Sequence, residues 1–121
     1  MKSALFSLLL LPALLAAAPA MAQIAGPWAV SGQISGNPFV VNCQFTPNGG
    51  NFGGVCVDAA TGKPHRLTAG AMSGNQVRWS YPAHFMFLSF DVCFTGALTG
   101  GGMAGTVTAS GHQGAFTATR K

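Results

Sequence analysis

The side chains that could perform chemistry are few: two carboxylates, Asp58 and Asp91, three histidines, His65, His84 and His112, and three cysteines, Cys43, Cys56 and Cys93. A glycosidase-type hydrolase needs two carboxyl groups on one site, and nothing in the separation of Asp58 from Asp91 brings them together. Asp58 stands where a strand gives way to a turn. Asp91 lies on a polar strand face, solvated or paired with an arginine. The histidines fall singly, two of them at turns, without the short ligand spacing of a metal site. They read as surface residues, and no metal or cofactor is expected. Cys93 shares a strand face with Asp91, and a neighbouring negative charge works against the thiolate that a nucleophile requires. It is expected to be a half-buried free thiol, with an intermolecular disulfide as the alternative. Gly100-Gly101-Gly102 lacks both the Lys-Ser/Thr and the helix N-terminus of a phosphate loop, so it reads as a hairpin connection. No catalytic residue is assigned.

The stretch richest in binding potential runs from Trp79 to Phe90, WSYPAHFMFLSF. Trp79, Tyr81, Phe85 and Phe87 flank a corner expected at Pro82–His84, so they collect at one end of the fold. They either plug that end as core or form an exposed aromatic patch, which on a small protein marks a contact site. These four are the candidate ligand- or partner-binding residues.

The elements that must position them are strands. Phe39–Val57, FVVNCQFTPNGGNFGGVCV, reads as two strands folded back around Asn48-Gly49-Gly50-Asn51. Adjacent Asn and Gly supply the positive φ of a tight hairpin turn. With Gly49 and Gly50 as the turn residues, Cys43 faces Cys56 and Phe45 faces Gly54. Alternation then sends Phe39, Val41, Cys43 and Phe45 to one face. Closing this loop of about 14 residues with a Cys43–Cys56 disulfide contributes roughly 3 kcal/mol on the chain-entropy model.

Beyond residue 22 no stretch carries apolar residues at helical spacing, and glycine interrupts every long window. Short alternating segments between turn residues predict eight strands, at about 27–34, 38–46, 52–58, 65–70, 76–82, 85–95, 102–109 and 113–120. Apolar rows include Trp28, Val30 and Ile34, then Val77, Trp79 and Tyr81. The sixth strand is the strongest, with Met86, Leu88, Phe90, Val92 and Phe94. Hairpin-linked strands must close or stack to hide their edges. The fold class is therefore all-β: a small eight-stranded antiparallel meander barrel, with a two-sheet β-sandwich as alternative. Small interior residues (Gly32, Gly54, Ala69, Gly105, Ala118) are set against large ones (Trp28, Phe39, Phe45, Trp79, Tyr81, Phe90, Phe116). The aromatics outweigh them, so a packed interior without a deep cup is expected.

The opening MKSALFSLLLLPALLAAAPAMA has a basic start, an apolar run and a small-x-small end, the pattern of a secretory signal peptide cut before Gln23. Residues 1–22 are thus a leader and 23–121 a single all-β domain, periplasmic or extracellular, with no membrane span after cleavage. An oxidising compartment favours the disulfide. The remaining charges, Lys63, Arg66, Arg78, Arg120 and Lys121 against Asp58 and Asp91, are sparse and form no cluster of the kind nucleic-acid binding needs.

Gly26-Pro27-Trp28 at the start of the first strand resembles the G-x-W of lipocalins and their calycin relatives. Phe116-Thr117-Ala118-Thr119-Arg120 ends the last strand with the arginine that, in that superfamily, packs across the tryptophan. The chain also resembles a group of small exported bacterial proteins of unknown role, with G-x-W, paired cysteines, S-G-N turns and a terminal F-T-A-x-R. The resemblance implies barrel closure by Trp28 and Arg120. The function expected is that of an exported, non-enzymatic binding module, a monomer or weak homodimer. Contact with a macromolecule through the aromatic rim, as in a periplasmic inhibitor, is the first reading. A small apolar ligand carrier of the calycin type, and then an envelope enzyme, are the alternatives. Intact mass of the purified protein with and without thiol alkylation is expected to show one reactive thiol, Cys93, before reduction; three would contradict the pairing.

Overall fold

The computed structural model describes residues 20–121; the expected leader falls almost wholly outside the described residues. A short helix, α1 (Ala20–Ile24), leads into nine strands. These are β1 (Gly26–Ile34), β2 (Asn37–Asn48), β3 (Asn51–Asp58), β4 (Pro64–Arg66), β5 (Ala69–Ser73), β6 (Gln76–Phe85), β7 (Leu88–Thr99), β8 (Gly102–Ala109) and β9 (His112–Arg120). Eight of them form a closed antiparallel barrel in chain order, β9 returning to pair with β1, and β4 is an extra strand on β3.

The β2–β3 hairpin has the register its turn dictates: Asn48 pairs with Asn51, Phe45 with Gly54 and Cys43 with Cys56. The two cysteines are disulfide-bonded and buried in the barrel interior. Gly54 could be no other residue. It holds φ +142°, and an added Cβ would lie 2.0 Å from the Gln44 carbonyl oxygen.

Two strand expectations are corrected. The single strand at 65–70 is instead broken. β4 pairs with β3, and the Leu67 amide still donates to the Gly54 carbonyl of β3. From Thr68 the chain bonds to Ser80 instead, and β5 pairs with β6. The break shifts the side-chain alternation, so Ala69 faces outward and Gly70 inward. There is likewise no corner at Pro82–His84. β6 runs straight through Pro82 to Phe85, and the reversal is the two-residue loop Met86-Phe87. Proline is tolerated because the β5 ladder ends at Ala69–Ser80, leaving β6 without a strand partner on that side. Met86 therefore leaves the apolar row of the sixth predicted strand, which begins at Leu88. Phe90, Val92, Phe94, Gly96 and Leu98 form the inward row.

One end of the barrel is sealed. The Trp28 indole N–H donates to the Ile24 carbonyl at 2.8 Å, and Ile24 is fully buried beneath it. The Arg120 guanidinium carbon lies 4.7 Å from the Trp28 ring centroid. Its Nη1 donates to the Ala25 carbonyl at 2.6 Å and its Nη2 to the Gln23 carbonyl. One side chain thus clamps the incoming chain over the indole. Arg120→Ala is expected to lower stability by about 1–2 kcal/mol, from the lost cation–π contact and charge-assisted bonds, and to shift tryptophan emission. An unchanged urea midpoint would contradict it.

Candidate functional site

An aromatic column rises from the sealed end. Phe52 meets Phe45 edge-on at 5.1 Å, and Phe45 meets Trp79 edge-on at 5.1 Å. Trp79 lies flat on Phe94, with centroids 4.6 Å apart and planes 9° from parallel. Phe116 closes on both from the side, at 5.4 Å and 5.3 Å. Its ring has room because β7 carries Gly96 beside it, where an added Cβ would lie 3.0 Å from Phe116 Cζ. Each such pair contributes about 0.5–1.5 kcal/mol beyond simple burial. The Trp79 indole N–H is buried without a hydrogen-bond partner, a cost of about 1–3 kcal/mol that the packing around it offsets.

Above Phe94 the filling stops. The expectation of an interior packed throughout is met only in the lower half. The upper half is a cup of about 830 Å³ opening at the other end of the barrel. Phe94, fully buried, lies beneath it. Val41, Val92 and Ala109 in its walls are more than nine-tenths buried. Much of the volume lies higher, between Phe39, Phe90 and the rim residues Pro38, Lys63 and Phe85. The size falls within the roughly 300–1,000 Å³ of ligand pockets. The column fills the lower half, and the wall above it mixes short side chains, Val41, Ala83, Val92 and Ala109, with the larger Phe39, Tyr81 and Phe90.

The mouth is polar, and it collects residues that are far apart in the chain. His65, His84 and His112 all line it, together with Asp58 and Lys63. The histidines expected singly on the surface are therefore neighbours of one opening. An up-and-down meander puts alternate turns at one end, and each of these histidines stands at the mouth end of its strand. That parity was available in the sequence. Each is locally fixed: His65 stacks on Tyr81 at 4.8 Å and 17°, His84 Nδ1 sits 2.8 Å from Ser89 Oγ, and His112 Nδ1 sits 3.1 Å from Ser35 Oγ. Among the described residues no group of three or more His, Cys, Asp or Glu side chains is close enough to hold a metal ion. Asp58 is held in its turn by the Ala60 amide, which donates to its Oδ1 at 3.1 Å.

The four aromatic candidates separate. Trp79 is wholly buried below the cup floor and Tyr81 forms part of the cup wall. Phe85 stands on the rim, while Phe87 points out at the tip of the β6–β7 hairpin. Cys93 is free, half-buried and paired across the sheet with Ser80 and Thr108. Asp91 is exposed on β7, opposite Pro82. The residues that the sequence reading missed are the cup walls, Phe39, Val41, Val92 and Ala109, which carry no signature beyond apolar alternation.

The molecule is thus a small closed antiparallel barrel with an aromatic floor and one open apolar end. Comparison with protein-family models, with curated proteins and with solved structures finds no match for this chain.

Burial, and secondarily the negative charge of Asp58, raise the Tyr81 phenol well above its ordinary value near 10. The folded protein therefore keeps this proton where the unfolded chain releases it, and stability should fall as pH rises above about 10. Tyr81 is the only tyrosine, so phenolate absorbance reports it alone. The expected titration shows no phenolate until the barrel unfolds at alkaline pH. Ordinary ionisation near 10 with the fold intact would contradict the buried position.

Proposed function

We propose that this chain is an exported binding module that holds a small, largely apolar molecule in the open half of its barrel. The observation that carries this reading is the cup itself: a half-open, largely apolar hollow of about 830 Å³ above a stacked aromatic floor. Among the described residues no charged side chain is buried in the core, whose side-chain polar groups are the Tyr81 phenol and the indole N–H groups of Trp28 and Trp79. Recognition inside the cup would therefore come from apolar contact, and polar selection would be confined to the mouth. Tyr81, Lys63 and the mouth histidines offer donors there, so an occupant with one polar end suits the site better than a pure hydrocarbon. The disulfide fits a protein that works in an oxidising compartment. The G-x-W start and terminal arginine give the reading a calycin-like flavour, with Arg120 over Trp28 at the sealed end. This choice places the small-ligand alternative ahead of the inhibitor-like one, because the cup is present and the interior is not filled.

The test is binding of an environment-sensitive naphthyl probe, followed by its fluorescence. Wild-type protein is expected to bind one probe per chain. Ala83→Trp puts a large ring into the cup from its half-buried wall position and is expected to weaken binding at least about tenfold, or ~1.4 kcal/mol. Equal binding by the two proteins would sink the proposal.

A further inference from the structure

We infer that the tip of the β6–β7 hairpin is a membrane-docking wedge that seats the mouth of the barrel on the surface of a lipid bilayer through apolar insertion. The ladder from β5 to β6 ends at Ala69–Ser80, and the ladder from β7 to β8 ends at Val92–Ala109. Past those points β6 and β7 pair only with each other, from Pro82–Asp91 to Phe85–Leu88. The hairpin is therefore a free two-stranded ribbon standing above the rim. At its end four consecutive apolar side chains are in solvent: Phe85 at 65% exposure, Met86 at 82%, Phe87 at 93% and Leu88 at 59%. In water a free ribbon of this kind is marginal. Nothing in the fold benefits from apolar residues there.

The backbone at the tip is also unfavourable. Met86 takes φ 58° at the first position of the loop, a conformation normally given to Gly, Asn or Asp. Two other mouth turns, Ser35-Gly36 and Ser110-Gly111, follow their positive-φ serine with glycine. At Met86-Phe87 the usual turn residues are absent and two large apolar side chains are presented instead. Strain of this sort persists where a function requires it.

Shape selects the partner. The tip is convex and narrow, so it would bury little against a flat protein surface. A fluid bilayer closes around such a tip, to a depth of roughly 5–10 Å at the headgroup–acyl boundary. The same end of the barrel carries Lys63 and the three histidines, against Asp58 at the mouth and Asp91 at the base of the ribbon. With the histidines neutral, one lysine against two aspartates gives this end no net positive charge, so the attraction comes from the apolar tip rather than from anionic lipid. The inner face of the ribbon, Ala83, Phe85, Leu88 and Phe90, lines the cup, giving an apolar path from the tip into the chamber. That last point rests on the ligand reading; the docking itself does not.

Flotation with vesicles of phosphatidylethanolamine and phosphatidylglycerol tests it. Wild-type protein is expected to rise with these vesicles and with phosphatidylcholine alone, since the apolar tip and not headgroup charge drives the docking. The double variant Met86→Ser, Phe87→Ser should lose at least about tenfold in vesicle partition. Both residues are nearly fully exposed, so the fold survives, as circular dichroism will show. Ala109→Trp, which fills the cup from β8 and leaves the ribbon untouched, should lose the naphthyl probe and still float, which separates failure of the cup from failure of the tip. Wild-type protein that stays with the soluble fraction overturns the inference. So does a double variant that floats as well as wild type, or a wild-type dimer that the double variant abolishes, since the tip would then serve a second copy.

Discussion

The stack of Trp79 on Phe94 is the contact on which the rest of the architecture depends. An eight-stranded barrel has an interior that side chains can just fill, and this pair decides where the filling ends. Below it, Phe45, Phe52 and Phe116 close the space with edge-to-face contacts. Above it, the inward positions mix Val41, Ala83, Val92 and Ala109 with Phe39, Tyr81 and Phe90 around the open cup. The floor is rigid because two flat rings nearly parallel and held from three sides have little room to rotate. A cup needs such a floor. Without it the walls would collapse inward or the upper half would fill with water.

Closure of the cylinder is uneven. Most neighbouring strands share long ladders, but β3 and β5 meet only at Asn51–Ala71. The chain compensates beside that seam by laying β4 across β3 and by switching hydrogen-bond partners at Leu67–Thr68. The Cys43–Cys56 disulfide ties β2 to β3 immediately next to it. A covalent link there restricts the unfolded chain and fastens one side of the weakest seam. At the same level of the barrel, where Trp28 pairs with Cys43, the clamp of Arg120 on Trp28 holds the entering segment, so packing and sulfur staple adjoining strands.

Much of this was legible in the residues. The Asn-Gly-Gly-Asn turn sets the β2–β3 register because antiparallel pairing leaves no freedom once the two loop residues are known. Alternation identified the inward rows of β1, β6 and most of β7. Legibility failed where a local signal was overridden. Pro82 suggested a corner, but on a stretch with a free side its missing N–H matters little, and the real turn is at Met86-Phe87, residues that do not advertise one. The broken strand at Leu67–Thr68 was hidden because its two halves bond to different neighbours, a property of the closed barrel rather than of the segment. The depth of filling depends on which large side chains stack on which, and a tally of large and small residues cannot express that. The shared mouth of His65, His84 and His112 follows from strand parity, which single-residue spacing conceals.

The central claim is a barrel divided into a dry aromatic half and an open apolar half. Methyl-resolved NMR during titration with octanol addresses it directly. The account predicts that the methyl signals of Val41 and Val92 on the cup wall shift in a saturable way, while Leu98, Met103 and Val107 around the lower half stay fixed. Shifts concentrated on the lower set, or none at Val41 and Val92 up to the solubility limit of octanol, would contradict it.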